Sequence, residues 1–289
     1  MLQVRGFQEE DAEALGQLMA WLGPYSLLPV PLEVRLQRPG HCAGEDLLLA
    51  ERDGLIVGWL DTFREPGLGR VVVEAGVAPG QQRRQIVCLL LRRRLQDAAA
   101  TGVQVVHFSI PERDQAAGRW LEGMGFLRVR RFLRLGWQRK RVPPVPDWPP
   151  IRPMRAGEEG ALTRIQNLSF GGSWGFHTNA EEEVRYRLGL PCCCREGVFF
   201  AEVEGRVVGY CWTRELRGKG EIWMLGADPA WRGQGVGRAL LLRGIHHLRQ
   251  RGFRRVDLTV DAANTTAIAL YLAVGFRQVG SVVSYECRL

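Results

Sequence analysis

Lysine is nearly missing from this chain. Lys140 and Lys219 stand against 37 arginines, so the net charge of +8 and the pI near 9.5 rest on arginine. Such an excess serves nucleic acid, phosphorylated ligands or plain solvation. Apart from short clusters at 92–94 and 249–255 the arginines are dispersed. No nucleic-acid motif or aromatic–basic ladder accompanies them, so solvated helix faces are the simpler account and no nucleic-acid partner is expected. No apolar run approaches the ~20 residues of a membrane helix, and no membrane association is expected. The start, "MLQVRGFQEEDAEAL", lacks a basic-then-apolar secretory layout, which suggests a cytoplasmic protein. Seven cysteines at irregular spacing make no disulfide framework and are read as reduced thiols. The run Cys192–Cys193–Cys194 has diverging neighbours and no second pair at zinc spacing, so it is read as structural, with no metal.

What the 289 residues do contain is a repeat. "WLEGMGF" (120–126) and "LYLAVGF" (270–276) close helical patterns 150 residues apart. "VAPGQQRRQIVCLLL" (77–91) and "ADPAWRGQGVGRALL" (227–241) match at the same offset. "LLLAERDGLIVGWL" (47–60) matches "VFFAEVEGRVVGYC" (198–211) at an offset of 151. Between the copies lies "RKRVPPVPDWPP", whose prolines oppose helix and sheet and favour an extended linker. The expected organisation is therefore a first domain over 1–138, a Pro-rich linker over 139–150 and a second domain over 151–289.

In the second copy, strands are expected at 151–154, 198–203, 206–214, 221–227, 254–260 and 278–287. Helices are expected near 158–170, after the glycines at 233–237, and at 265–274. Thr178 and Asn179 ahead of Glu181 and Glu182 suggest a capped start to a further helix. Glu204-Gly205 reads as a hairpin turn. The fold class is α+β: two tandem units, each a mostly antiparallel twisted sheet flanked by helices.

The stretch "RGQGVGRALL" (232–241) places Gly235 and Gly237 where an apolar helix begins. Glycine there costs roughly 0.5–1 kcal/mol relative to alanine. A helix start with bare amides and a positive dipole end is an anion site suited to phosphates, and Arg232 adds a cation. A dinucleotide-binding fold is the rival, but it expects G-x-G-x-x-G after the first strand. Here R-x-x-G-x-G follows the fourth.

"GADPAW", then Arg232-Gly233-Gln234-Gly235-Val236-Gly237, then "NTTAIALYLAVGF", resemble the acetyl-CoA motifs of the GNAT N-acetyltransferase superfamily. Two units in tandem resemble the family of mycothiol synthase-like proteins. The resemblance implies acetyl-CoA as donor, with its pyrophosphate held by amides of Gly233, Gln234, Gly235, Val236, Gly237 and Arg238 beside Arg232. Its pantetheine arm would lie along strand 221–227, past Leu225 and Ala227, with the Leu225 N–H as oxyanion donor. The residue matching Asn264 often touches the cofactor as well as capping its helix.

Acetyl transfer to an amine needs a base for the amine and an acid for the leaving thiolate. Glu221 is the candidate base, expected on one face with Trp223 and Leu225 by alternation. Tyr271, ahead of "LAVGF", is the candidate acid. Trp174, Phe176, His177, Trp212 and Trp223 are candidates to contact the acceptor. The expected activity is acetyl-CoA-dependent N-acetyl transfer to a primary amine of a small molecule or protein. A non-catalytic acyl-CoA-binding sensor and a CoA-free transfer from aminoacyl-tRNA are the alternatives, and the intact "RGQGVG" argues against the second. The first copy has Gln82, Gln85 and Val87 where the second has Arg232, Gly235 and Gly237, with Val71 for Glu221 and Leu121 for Tyr271. It is therefore expected to be a degenerate unit without an acetyl-CoA cradle.

Overall fold

The computed structural model describes residues 1–22, 30–216 and 218–289. The first half runs β1 (Leu2–Gly6), α1 (Ala12–Leu22), α2 (Leu32–Leu36), α3 (Ala43–Asp46), β2 (Leu47–Arg52), β3 (Leu55–Glu65) and β4 (Arg70–Val77). It continues through α4 (Arg83–Ala100), β5 (Val105–Pro111), α5 (Gln115–Glu122) and β6 (Leu127–Trp137). The second half repeats the order as β7 (Ile151–Pro153), α6 (Glu159–Phe170), α7 (Glu181–Leu188), β8 (Cys193–Val203), β9 (Arg206–Leu216) and β10 (Lys219–Ala227). Then follow α8 (Val236–Gln250), β11 (Val256–Asp261), α9 (Thr265–Val274) and β12 (Arg277–Arg288).

Local chemistry explains the shared elements. The β2–β3 hairpin turns through Asp53 and Gly54 at φ 52° and 79°, and β8–β9 through Glu204 and Gly205 at φ 50° and 72°. Two left-handed residues in a row are the type I′ turn that matches strand twist. Asp114 caps α5 through the Ala117 amide at 3.1 Å, and Asn264 caps α9 through Ala267 at 3.1 Å. The start expected for α7 differs. Ala180 is its N-cap and supplies no side-chain bond. Asn179 instead accepts from Arg187 Nη1 at 2.9 Å and takes its own bonds from Asn167, closing the α6–α7 loop.

The chain forms two compact units that do not follow the repeat boundaries: 1–130 with 282–289, and 131–281. In the first, Val282–Arg288 of β12 pairs antiparallel with β5 and buries Val283 and Tyr285 in that unit's core. In the second, Phe132–Trp137 of β6 pairs antiparallel with β11, and Trp137 is fully buried against α8 and α9 residues. Each repeat thus contributes its last strand to the other unit's sheet. The Pro-rich segment forms neither helix nor strand and belongs to the second unit, where Val142 and Val145 pack onto the core and Pro143 O accepts from His246 Nε2 at 2.8 Å.

Both units place a long helix on one sheet face. In the second, Leu240, Leu241, Ile245 and Leu248 of α8 are fully buried over β8–β11. Each such side chain contributes about 1.5–3 kcal/mol of burial. The other face carries α6, with Leu162 and Ile165 over Phe200, Tyr210 and Trp212.

Candidate functional site

The site grows out of irregularities in β10. Its antiparallel register with β9 shifts between Ile222 and Met224, so one extra residue bulges at Trp223. Its parallel ladder with β11 consists of Gly220↔Val256 and Glu221↔Asp257. From Ile222 to Ala227 the edge of β10 toward β11 therefore runs without a strand partner among the described residues.

The bulge also inverts the side-chain alternation. Ile222, Leu225 and Ala227 join the core under α8, whereas Trp223 and Met224 join the cluster under α6. Leu225 therefore lies on the opposite face from Trp223 and Glu221, against the expectation from simple alternation. A backbone N–H is less affected by this than a side chain would be.

The turn after β10 is built by Asp228, whose carboxylate accepts from the Ala230 amide at 2.8 Å. Gly233 and Gly235 then adopt φ 78° and 87°. Only glycine enters that region readily, and a Cβ at either would meet nothing within 4 Å. The glycine requirement is thus conformational, and the space above the loop is open. Gly235 is the N-cap of α8 and offers no side chain. The Ala239 amide bonds Gly235 O at 3.0 Å, which leaves the amides of Val236, Gly237 and Arg238 ahead of it as bare donors. Gly237 differs: a Cβ there would meet Leu270 at an ordinary 3.4 Å, so no close approach within the chain demands it. Arg238 is exposed. Gln234 Nε2 donates to Ala230 O at 3.1 Å. Arg232 Nη2 donates to Ser169 O at 2.7 Å, tying the loop to the end of α6 instead of turning to the helix start. These amides and the open space fit an anionic phosphate group.

Glu221 lies on the α6 face, where Oε2 accepts from Arg214 Nε at 2.5 Å with both side chains largely buried. The Arg214 guanidinium lies 4.8 Å from the Trp223 ring, which meets Trp212 edge-on at 4.8 Å. Around them Gln166 Oε1, Ser169 Oγ, Tyr210 Oη, Trp212 Nε1 and Arg214 Nη1 are buried without hydrogen-bond partners among the described residues. An unpaired buried polar group costs ~1–3 kcal/mol. All five belong to buried residues, and Gln166, Tyr210 and Trp212 are fully buried, so Trp212 lies beneath the surface and not where the expected acceptor contact needs it. Of these residues only Trp212 was expected. Tyr210, Trp212 and Arg214 alternate along β9, and that period-2 signal identifies the other two.

Tyr271, on α9, is buried in the core that α8 also lines, with its ring meeting Phe276 at 5.9 Å. Burial pushes its phenol pKa up, so the hydroxyl stays protonated at neutral pH, as a proton donor must. Trp174 is 38% exposed, with its ring 6.2 Å from Phe132. Phe176 stacks on Phe170 at 6.4 Å, and the half-buried His177 follows in the same loop.

Residues 161–276, inside the second unit, match the acetyltransferase (GNAT) family. The chain is 34% identical over 249 residues to a mycothiol acetyltransferase of Thermomonospora curvata, covering 83% of this chain and 81% of that one. It is 32% identical over 293 residues to the mycothiol acetyltransferase of Actinosynnema mirum, covering 96% and 95%. In fold it resembles a tandem GNAT protein from the clavulanic acid biosynthesis pathway, with TM-score 0.73 and 18% identity over 100% of this chain and 98% of that one. A GCN5-related N-acetyltransferase from Sphaerobacter thermophilus gives TM-score 0.73 at 23% identity, covering 99% and 95%. Among the described residues no helix is long and apolar enough to cross a membrane. With a bare-amide helix start beside a strand that leaves its parallel neighbour, this chain belongs to the GNAT acetyltransferase family, which uses an acyl-CoA donor, as a tandem protein similar to mycothiol acetyltransferases.

Proposed function

We propose that the second unit transfers the acetyl group of acetyl-CoA to the amine of a mycothiol-type acceptor. The observation that carries this reading is Glu221, a partly exposed carboxylate held by Arg214 beside the Trp223 ring. The curated relatives' naming as mycothiol acetyltransferases supports the same acceptor class.

Bound acetyl-CoA supplies an activated thioester. The amides at 233–238 would hold its phosphates, and the backbone N–H of Leu225 would orient the acetyl carbonyl. Glu221 takes the proton of the attacking amine, directly or through water. Tyr271 holds a proton on Oη for the departing sulfur. Arg214 keeps the Glu221 carboxylate in place and Trp223 packs against that guanidinium. The first unit, with Val71 and Leu121 in the corresponding positions, acts in support and holds no donor.

The test is product analysis by mass spectrometry with acetyl-CoA and the desacetyl form of mycothiol, beside polyamines, aminosugars, aminoglycosides and peptides. N-acetylation of the desacetyl thiol in clear preference to the rest is expected. Acetyl-CoA binding without acetylation of any acceptor would replace this reading with that of a sensor.

A further inference from the structure

The cysteines at the start of β8 are not absorbed by the acetyltransferase reading. Cys193 pairs across the ladder with Arg214, and Arg214 pairs with Glu221. Directly opposed residues share a sheet face. Cys193, Arg214 and Glu221 therefore form one row over three strands, and Cys193 packs with the cluster that holds Trp212 and Trp223. Cys192 precedes this row and its Sγ lies 3.8 Å from Cys193 Sγ. Both residues are partly exposed, and all seven cysteines are free thiols.

The row sets the two thiols apart in acidity. The neighbouring Cys193 thiol and then the Arg214 guanidinium bring the Cys192 thiol down to about 7, against an opposing effect of burial. The Cys192 contact and burial push Cys193 up. Burial pushes Cys88, Cys194, Cys211 and Cys287 up as well. A thiolate next to a protonated thiol is the arrangement of an attacking and a resolving cysteine.

We propose that Cys192 and Cys193 form a thiol-exchange site for a small disulfide, and that its oxidation obstructs the acceptor face beside Glu221. Cys192 Sγ attacks one sulfur of the disulfide. The new bond joins it to that half, the disulfide bond breaks, and the other half leaves as a thiolate. Cys193, giving its proton to solvent, then attacks Cys192 Sγ and expels the retained half as a second thiol. The two cysteines are oxidised to one disulfide and the small disulfide is reduced to two thiols. The exchange stands apart from the proposed acceptor, whereas its effect on turnover rests on Glu221 being the base.

The test uses 5,5′-dithiobis(2-nitrobenzoate) on the full chain carrying Cys42→Ser, which removes the exposed thiol. A fast phase should release two thionitrobenzoates per chain, leave no label, and yield a peptide map joining Cys192 to Cys193. Cys193→Ser should release one and retain the label on Cys192, and Cys192→Ser should lose the fast phase. The wild-type peptide map needs no folded variant and decides alone: apart from label on the exposed Cys42, label or disulfide elsewhere overturns the site. A fast phase that survives Cys192→Ser, or label retained equally with and without Cys193, overturns the assigned roles. After reagent removal, turnover followed by product mass should be at least roughly tenfold lower and return with dithiothreitol. Unchanged turnover overturns the obstruction, leaving the exchange site. Dithiol chemistry in a protein that acetylates no acceptor overturns the proposed function and, with it, the regulatory part.

Discussion

The long helices of the two repeats end at corresponding residues, Ala100 and Gln250, but begin at different ones. α4 starts at Arg83 and has 18 residues, whereas α8 starts at Val236 and has 15. The three residues of difference are Arg83-Arg84-Gln85 in the first unit, wound into a helical turn, and Gly233-Gln234-Gly235 in the second, held open by two left-handed glycines. The preceding strands differ in the same sense. β4 keeps one unbroken register with β3 and forms four parallel pairs with β5, from Arg70↔Val105 to Val73↔Phe108. β10 bulges and forms two pairs with β11. Val71 and Val73 are buried in the core with Ala75 packed beside them, and Leu121 is fully buried where Tyr271 stands in the other unit. On the far face, Asp61 occupies the position of Trp212 and is fully buried in an ion pair with Arg35 at 2.6 Å. The second unit gives up regularity at three points, namely helix start, strand register and ladder length, and the first unit restores all three.

The largest effects expected from breaking this comparison are catalytic. Glu221→Gln and Tyr271→Phe should each lower turnover by ~10²–10⁴-fold with donor affinity unchanged. Initial rates beside calorimetric titration with acetyl-CoA check this, and near-normal rates in both would make them structural residues. The counterpart substitution in the first unit should act on stability alone. Leu121→Ala removes a fully buried side chain and should cost about 2–5 kcal/mol in denaturant unfolding, with donor affinity intact.

Replacing Gly233 and Gly235 together with valine forces branched side chains into left-handed backbone, at roughly 1–2 kcal/mol per position. Thermal stabilisation by acetyl-CoA should disappear, whereas Gln85→Gly should leave it unchanged. Calorimetry on the unaltered chain should give one donor site, and two of similar affinity would end the distinction between the units. The smallest effect concerns the caps. Asp114→Ala and Asn264→Ala should each cost ~1 kcal/mol by the loss of one N-cap bond. If Asn264→Ala alone also weakens acetyl-CoA binding, that residue touches the donor as well as its own helix.

Much of this was legible in the residues. The repeat, the Asp53-Gly54 and Glu204-Gly205 hairpins, the span of α9 and the glycine loop all follow from local rules: turn chemistry, periodicity and the cost of a Cβ at positive φ. Glu221 and Tyr271 became candidates through the resemblance to the GNAT superfamily, at positions where the other copy has valine and leucine.

Sequence alone therefore determined the order of strands and helices in the second copy and which copy places left-handed glycines at the start of its long helix. Those outcomes depend on residues within a few positions of one another. Tertiary structure decided the rest. The bulge at Trp223, which moves Leu225 to the other face, is a property of the β9–β10 register. The engagement of Arg232 with Ser169, and of Arg214 with Glu221, depends on which elements meet. So does the exchange of last strands, by which β12 completes the first unit and β6 the second. Two similar strands can each pair with either sheet by local propensity, and the choice rests on non-local contacts such as Trp137 buried under α9 and Tyr285 buried beneath α5.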